Sequence, residues 1–515
     1  MTKTVRAGHD PIPSSELGSC PKPGRGHPRL AVLDRVPKSL TVLPRAGATL
    51  LELLRARGIR IPSDCGGEGT CGKCRVSVRD ADGPHNILAC RFVPTSPVTV
   101  SVPQGARRPR TVARAPVVAT RRLAVDVGTT TLSFAVVDTR LGRVIRRHDE
   151  LNPQVVFGAD VMSRIAQAGR VKSSGLHEQI AAYMAENGID SAAPVTAVAN
   201  TVMSHFLAGK DPASLGEYPY RSQLPLGKTA TARTHGLRLK LLPLLGGFVG
   251  SDCTAAILAS GMARSRRLTL LVDAGTNGEV VLGNREGMLV CSTAAGPAFE
   301  GATLECGSLA QPGAVRSVAV RRGKLVLDVV GRGTPRSICG SGVLDAVAAG
   351  LRLGAIDRSG RLSVDPFRLS ERVHLSQSDV REVQLAKGAI AAAIRVLLAE
   401  RGERPQDLER IFITGRFGAA LNVDSAIAVG LLPNIAPQGH DRNPPRASGR
   451  VPSQPFHAIR RHGNLALAGA VRVALDPTLI HETERIAAAC REVRLAEHEL
   501  FETAFAEGMS LCPWQ

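Results

Sequence analysis

The first pattern along the chain is short. Ser39-Leu-Thr-Val-Leu43 alternates apolar and polar positions and predicts a half-buried strand. Ala48 to Gly58 (ATLLELLRARG) has apolar residues at helical spacing and stops at glycine, which predicts a short helix. Arg75 to Arg79 and Val98 to Val102 predict two further strands. Beyond residue 122 longer, largely apolar runs predict further strands. Leu123 to Val127 and Leu132 to Val137 are two such runs, and Glu409 to Thr414 is another, followed by a helix. Val343 to Leu353 and Glu382 to Glu400 predict helices, the second an amphipathic core helix. Leu241 to Ser260 is the most apolar stretch. It is broken by Gly246, Gly247, Gly250 and Asp252, so it predicts a buried strand and turn rather than a membrane span.

Four cysteines crowd into the gap between the early helix and strands. Cys65-Gly-Gly-Glu-Gly-Thr-Cys71-Gly-Lys-Cys74 is followed by Leu88-Ala89-Cys90, while the other seven cysteines lie far apart. Glycines between thiolates allow positive φ and turn backbone N–H groups toward sulfide. The spacing is close to that of 2Fe-2S ferredoxins, with five rather than four residues in the first gap. Zinc is the competing metal, but a zinc site favours two Cys-x2-Cys or Cys/His knuckles and only one is present. The order of elements is that of a β-grasp ferredoxin domain. Only 15 residues separate Cys74 from Cys90, so the domain is trimmed and Cys90 is the least secure ligand.

A repeat supplies the second chemistry. Leu123-Ala-Val-Asp126-Val-Gly128-Thr129-Thr130-Thr131 returns 147 residues later as Leu270-Leu-Val-Asp273-Ala-Gly275-Thr276-Asn277-Gly278-Glu279. Each copy reads as strand, Asp, Gly-Thr turn, strand. Such a hairpin offers N–H and hydroxyl donors to phosphate, while an Asp at the strand end holds Mg²⁺ through water. One copy is also an ordinary hairpin signal; two predict a duplicated fold with ATP between the halves. Gly415-Arg-Phe-Gly418 is a glycine turn that lets adenosine approach the backbone. Cys339-Gly-Ser-Gly342 is a further candidate, equally readable as a plain strand–helix turn.

The two hairpins and the glycine turn resemble the superfamily of actin, sugar kinases and heat-shock chaperone ATPases. Joined behind a 2Fe-2S domain, they resemble the reductive activators of corrinoid proteins. Asn152-Pro-Gln154 with Gly158-Ala-Asp160, Asn200-Thr-Val-Met203, Gly247-Phe-Val-Gly250-Ser-Asp252, Ala295-Gly-Pro-Ala-Phe-Glu300-Gly and Gly430-Leu-Leu-Pro433 add to the match, which covers roughly residues 29–510. The adenosine turn departs from the family, having Arg416 where a second glycine is usual. The resemblance implies an α/β chain, an α+β ferredoxin domain followed by a duplicated actin-like ATPase. The expected divisions are residues 1–28 as a disordered segment, 29–104 for the cluster domain and 105–121 for a basic linker. Residues 122–260 and 261–515 are the two ATPase halves, with a basic insertion at 437–461.

The implied activity is ATP-driven transfer of one electron from the cluster to a Co(II) corrinoid protein, restoring Co(I) for methyl transfer. A plant-type cluster sits near about −400 mV and the cobalt couple lies lower. Every 100 mV uphill costs about 2.3 kcal/mol per electron, hence the need for ATP. Cys65, Cys71, Cys74 and Cys90 would hold the cluster. Gly128, Thr129, Thr130, Gly275, Thr276, Asn277 and Gly278 would cradle phosphate, and Gly415 and Gly418 the adenosine. Asp126 and Asp273 would position Mg²⁺; Asp252, then Glu300, would activate water. The partners implied are the corrinoid protein and an external reductase or ferredoxin, with a homodimer left open. Two other classes fit the motifs: a small-molecule kinase with an attached redox domain, and a non-hydrolysing redox scaffold.

Composition trims these alternatives. The 515 residues carry 65 Lys and Arg against 45 Asp and Glu, a net charge of +20. Aromatics are 3% of the chain, with one Trp, and no nucleic-acid motif accompanies the charge, which weakens nucleic acid as a partner, and none is expected. The excess is partly local: six Arg and three Pro lie between Pro103 and Arg122. That stretch reads as a flexible linker able to steer an acidic partner. Residues 1–28 have no apolar core of a secretory signal, which with the free cysteines predicts a cytoplasmic protein.

Overall fold

The computed structural model describes residues 39–514 apart from positions 58, 60, 62–66, 68, 70–73, 81–82, 102–113, 159, 172–174, 276, 302 and 436–457. The leading segment, most of the cluster loop, most of the linker and most of the basic insertion therefore lie outside the described residues.

The cluster domain is built from β1 (Ser39–Val42), β2 (Arg75–Asp80), β3 (Gly83–Leu88) and β4 (Val98–Ser101), in the order β1-β4-β2-β3, with the helix Leu50–Ala56 across it. Thr49 caps that helix in a reciprocal capping box with Glu52. Leu50, Leu51 and Leu54 fall on its inner face and pack with Val42, Val76, Val78, Val98 and Val100 into one core. The interval between Cys74 and Cys90 is the β2–β3 hairpin. A strand pair thus fills the shortened interval.

Two six-stranded sheets form the rest. The first comprises β5 (Arg121–Val127), β6 (Thr131–Asp138), β7 (Arg143–Leu151), β8 (Pro194–Ala199), β9 (Ala230–Thr234) and β10 (Leu237–Leu241), ordered β7-β6-β5-β8-β10-β9. The second comprises β11 (Thr269–Ala274), β12 (Gly278–Asn284), β13 (Gly287–Thr293), β19 (Arg410–Thr414), β20 (Ile459–Arg461) and β21 (Cys490–Glu492), ordered β20-β19-β11-β12-β13-β21. Between these in sequence lie β14 (Ala314–Arg321), β15 (Lys324–Val329) and β16 (Ser337–Ile338), then the ribbon of β17 (Phe367–Arg368) and β18 (His374–Leu375). In each large sheet a three-strand meander leads to a strand parallel to its first member: β8 beside β5, β19 beside β11. The repeat read from two hairpins is a repeat of whole sheets.

The halves are joined by a shared layer of two helices, Ser251–Ser260 and Leu465–Leu475. Their apolar faces share one core with Ala124, Ala135 and Val198 of the first sheet and Leu271, Val281 and Phe412 of the second. The crossing is close because Gly469 faces the backbone of Ala255, where even a methyl group has no room.

Several boundaries shift. Leu241 to Ser260 turns into a helix, because Gly250 lets the chain pass against the backbone of Ala199 and Asn200 before Ser251 begins it. Among the described residues no helix is long and apolar enough to cross a membrane. The helix expected over Glu382 to Glu400 spans Gln377–Arg401 and is buried along most of its circumference rather than along one stripe. The end of the linker is fixed. Ala115 N–H donates to Ala185 O at 2.9 Å and Val118 N–H to Gly188 O at 2.8 Å, and Arg121 already belongs to β5. The flexible reading of Pro103 to Arg122 is corrected for residues 114–122.

Candidate functional site

A cleft of about 690 Å³ opens between the two sheets. Asp126, Gly128, Thr129, Thr130 and Thr131 line it from one side, and Asp273, Gly275 and Asn277 from the other. Asp252, Gly340, Ser341, Gly415 and Phe417 complete much of the wall. Both hairpins predicted to cradle phosphate therefore face one space. Gly278 and Gly418 do not line it. Gly278 packs against Ile390 and Thr293, and Gly418 against Ile413, where glycine is needed for close packing. Thr276 lies outside the described residues, as do the side chains of Glu300 and Arg416.

The first hairpin is braced from behind. Gly128 N–H closes the turn onto Thr131 O at 2.9 Å. Asn152 Nδ2 donates to Gly128 O at 2.8 Å, and Asn200 Nδ2 donates to Thr129 Oγ1 at 3.1 Å. The guanidinium of Arg164, fully buried, donates through Nη2 to Thr129 O and through Nε to Gly158 O at 3.1 Å. The Asn152-Pro-Gln and Gly158-Ala-Asp motifs thus serve as scaffolding for the turn. Arg164 was not a sequence candidate: nothing in a sequence separates a buried arginine on a six-residue helix from a surface one.

The second hairpin is tighter. Asp273 pairs with Glu279 across β11 and β12, whereas Asp126 pairs with Ser133 across β5 and β6. Opposed residues point to the same face. Glu279 and Ser133 therefore occupy corresponding places, and both line the cleft. Glu279 is the functional candidate that the sequence reading missed; aligning the motifs by their Gly-Thr turns sets it against Leu132.

Four carboxyls, those of Asp126, Asp252, Asp273 and Glu279, gather here. Burial, before the charges of Asp252 and Asp273, raises Asp126 to about 8, although Asn464 Nδ2 donates to its Oδ2. Burial and then Asp252 raise Asp273 to about 7; burial raises Asp252 to about 6. Glu279 is pushed well above the usual carboxylate range by burial and by both neighbours. Like charges kept together out of water are the signature of a cation or proton site. Among the described residues no three Asp, Glu, His or Cys side chains come close enough to share a metal ion directly. An ion carried on phosphate with its own water needs only one or two carboxylates.

Gly415 follows β19 with φ +89°, and a side chain there would place its first carbon 2.6 Å from Asp273 Oδ1. Next to it Phe417 stacks on Phe299, with ring centroids 4.4 Å apart and planes 9° from parallel, forming an apolar wall. Such a wall suits a flat base better than the bare backbone expected from the glycine turn.

In the cluster domain, Cys74 Sγ and Cys90 Sγ lie 3.1 Å apart and buried. Cys90, the least secure ligand by sequence, is brought onto Cys74 by the β2–β3 hairpin. Cys65 and Cys71 lie outside the described residues.

Residues 35–95 match the profile of the 2Fe-2S iron-sulfur cluster binding domain, 122–265 the RACo middle region, and 267–442 the C-terminal domain of RACo, the ASKHA domain. The corrinoid activation enzyme RamQ of Eubacterium limosum is 34% identical over 366 residues, 61% of this chain and 60% of that protein. The [Co(II) methylated amine-specific corrinoid protein] reductase of Methanosarcina barkeri is 29% identical over 210 residues, 36% of this chain and 39% of that one. The chain thus spans less than two thirds of the length of these curated relatives. The solved structure of a reductive activator for corrinoid, iron-sulfur protein superposes with TM-score 0.65 at 24% identity, covering 92% of this chain and 98% of that one. The chain thus carries, in succession, a 2Fe-2S domain, a RACo middle region and a RACo ASKHA domain.

Proposed function

We propose that the chain couples ATP hydrolysis to the transfer of one electron from its cluster domain to a corrinoid protein in the Co(II) state, returning it to Co(I). The carrying observation is the union in one chain of paired cluster thiols, 3.1 Å apart, with a two-hairpin cleft ringed by four carboxyls. The names of the relatives support the partner class, and the divisions at residues 29–104, 105–121, 122–260 and 261–515 are the working boundaries.

Cys65, Cys71, Cys74 and Cys90 would hold a 2Fe-2S cluster; the buried, adjacent Cys74 and Cys90 fit that ligand set. When bound, the cluster supplies a one-electron carrier, reloaded from an external reductase or ferredoxin. Asp126 and Asp273 would hold Mg²⁺ with phosphate and water, and the carboxyl protons retained in the cation-free cleft would leave as the ion enters. Backbone N–H groups of both hairpins and the Thr129 and Thr130 hydroxyls would hold phosphate oxygens, with Asn200 orienting Thr129. Phe417 and Phe299 would flank the base. Asp252 or Glu279, both of which line the cleft, would take the proton of the attacking water. ATP drives electron transfer only if its binding and hydrolysis differ in free energy between conformations of the two halves.

The test is reduction of a purified Co(II) corrinoid protein by the cluster-loaded chain with a chemical reductant, followed by cobalt absorbance. Co(I) should accumulate only with hydrolysable ATP, and Asp273→Asn should abolish it with the cluster spectrum intact. Equal Co(I) formation without nucleotide, or phosphoryl transfer to a small molecule, would overturn the reading.

A further inference from the structure

Outside the cleft, one group of reactive side chains has an order that packing does not require. Cys306 Sγ lies 3.6 Å from His374 Nδ1, and His374 Nε2 lies 3.2 Å from Glu305 Oε2. The thiol is half-buried, and the His374 and Glu305 side chains retain 26% and 55% of their exposure, so small molecules reach the group. With its Nε2–H directed to the carboxylate, the imidazole presents Nδ1 as an acceptor for the thiol proton. This is the nucleophile, base and orienting-group arrangement of an activated thiol. The other acceptor within reach of the sulfur is Arg372 O, at 3.6 Å. Of the other half-buried thiols described, Cys490 is pushed up to about 12 by burial, and Cys512 has the Lys387 ammonium near it rather than an imidazole base.

The group is rigidly mounted and wired to the cleft. Glu305 N–H donates to Asp379 Oδ1 at 3.0 Å, at the capped start of the helix Gln377–Arg401. Cys306 O accepts from Ile338 N at 2.8 Å, and Ser308 N–H donates to Ile338 O at 2.9 Å. Ser308 to Gln311 on one side, and Cys339 to Ser341 on the other, then form part of the cleft wall. Gly307 packs against Leu304 Cβ and the Gly301 backbone, which leaves no slack to absorb a displacement.

We propose that Cys306 is an oxidant-sensing thiol, with His374 as its base and Glu305 as a positioning residue, and that its oxidation by a peroxide weakens nucleotide binding in the cleft. The thiol proton passes to His374 Nδ1 and the sulfur attacks one peroxide oxygen. The O–O bond breaks, the distal oxygen leaves with that proton as water, and a sulfenic acid remains. Sulfur loses two electrons and the peroxide gains two. The added oxygen breaks the contact with His374 and presses on a segment that runs into the cleft wall at Ser308 and is hydrogen-bonded to Ile338, next to Cys339 of that wall. An activator that spends ATP on a low-potential electron would thereby stop when an oxidant is present; this purpose rests on the proposed function, whereas the chemistry at Cys306 does not.

The experiment uses the cluster-loaded full chain. Alkylation by iodoacetamide at neutral pH, read by peptide mass spectrometry, should run at least about fivefold faster at Cys306 than at Cys512. H374Q should bring it to the Cys512 rate, and E305Q, an exposed change that spares the fold, should bring it partway. Sulfenic acid formed by hydrogen peroxide should be trapped at the Cys306 peptide. Affinity for a fluorescent ATP analogue should then fall about tenfold in the wild type and stay unchanged in C306S, the expected size for a strained cleft wall. Equal alkylation at the two thiols, or no effect of either variant, would overturn the activated thiol. Unaltered nucleotide affinity after full oxidation of Cys306 would overturn its coupling to the cleft.

Discussion

The two halves of the ATPase region share a sheet plan and divide the chemistry. The first hairpin is shored up by Asn152, Arg164 and Asn200 and offers donors. The second places Glu279 beside Asp273, where the first has Ser133 beside Asp126. A cross-strand pair of carboxyls is unfavourable for a sheet, so the second half carries a local cost that only a cation or a proton relieves. The two frames are alike, but the first braces its turn with buried side chains and the second adds the carboxyl of Glu279.

The sharpest way to break this comparison is to change the corresponding residues. Glu279→Gln should lower partner-stimulated ATP turnover about a hundredfold, the usual worth of a group that handles a proton, while Ser133→Ala should stay within a few-fold. Equal losses in a phosphate-release assay would show that the halves contribute alike. Next come the strand ends. Gly415→Ala should weaken ATP binding about tenfold by calorimetry, because a left-handed backbone and the crowded Asp273 act together. Asn200→Ala frees Thr129 and also uncaps the helix Thr201–Ala208, where Asn200 Oδ1 accepts from Met203 N–H at 2.9 Å; its cost to ATP binding should be about threefold, the value of the one neutral hydrogen bond that faces the cleft.

The brace itself is a stability prediction. Arg164→Met keeps the bulk but leaves the Thr129 and Gly158 carbonyls unsatisfied in the interior, and should cost about 2–4 kcal/mol. A fall in the melting temperature of the nucleotide-free protein, larger than for Ser133→Ala, is the expected result.

The smallest effect is in pH. An ordinary carboxyl loses its proton near about pH 4, whereas those of Asp252, Asp273 and Asp126 keep theirs to about 6, 7 and 8. Between these limits the folded chain holds more protons than the unfolded one, so the stability they contribute falls as pH rises. The nucleotide-free protein should melt lower at about pH 8.5 than at about pH 6, and Mg²⁺ with a non-hydrolysable ATP analogue should flatten that slope. Asp126→Asn should remove its upper part; a slope unchanged in the variant would assign it elsewhere.

Much of this was legible before any coordinates. The glycine-spaced thiols and the Asp-x-Gly-Thr repeat are local patterns whose chemistry depends on adjacency in the chain. Glu279 was written in the repeated motif yet could not be assigned, because its role depends on a one-residue difference in strand register. Arg164, Asn464 and the Phe299–Phe417 stack needed the fold, since each joins segments distant in sequence. The linker misled for a related reason: its Arg and Pro content says nothing of the backbone bonds from Ala115 and Val118 to the end of the helix Leu176–Glu186 and the turn after it.

Asn464 gives the cleft a form of thermodynamic reciprocity. Its amide caps the helix Leu465–Leu475 through Leu467 N–H and donates across the cleft to Asp126. A cation drawing on the same carboxylate oxygens competes with that amide, so filling the site loosens the strap between the halves. By linkage the reverse holds with equal strength: whatever draws the halves apart changes the affinity for the ion. Below about pH 8 that carboxyl keeps its proton, and a neutral hydrogen bond is worth about 0.5–1.5 kcal/mol, roughly a two- to tenfold range in affinity. A protein that docks across both halves therefore has a lever on ion and nucleotide release without touching either.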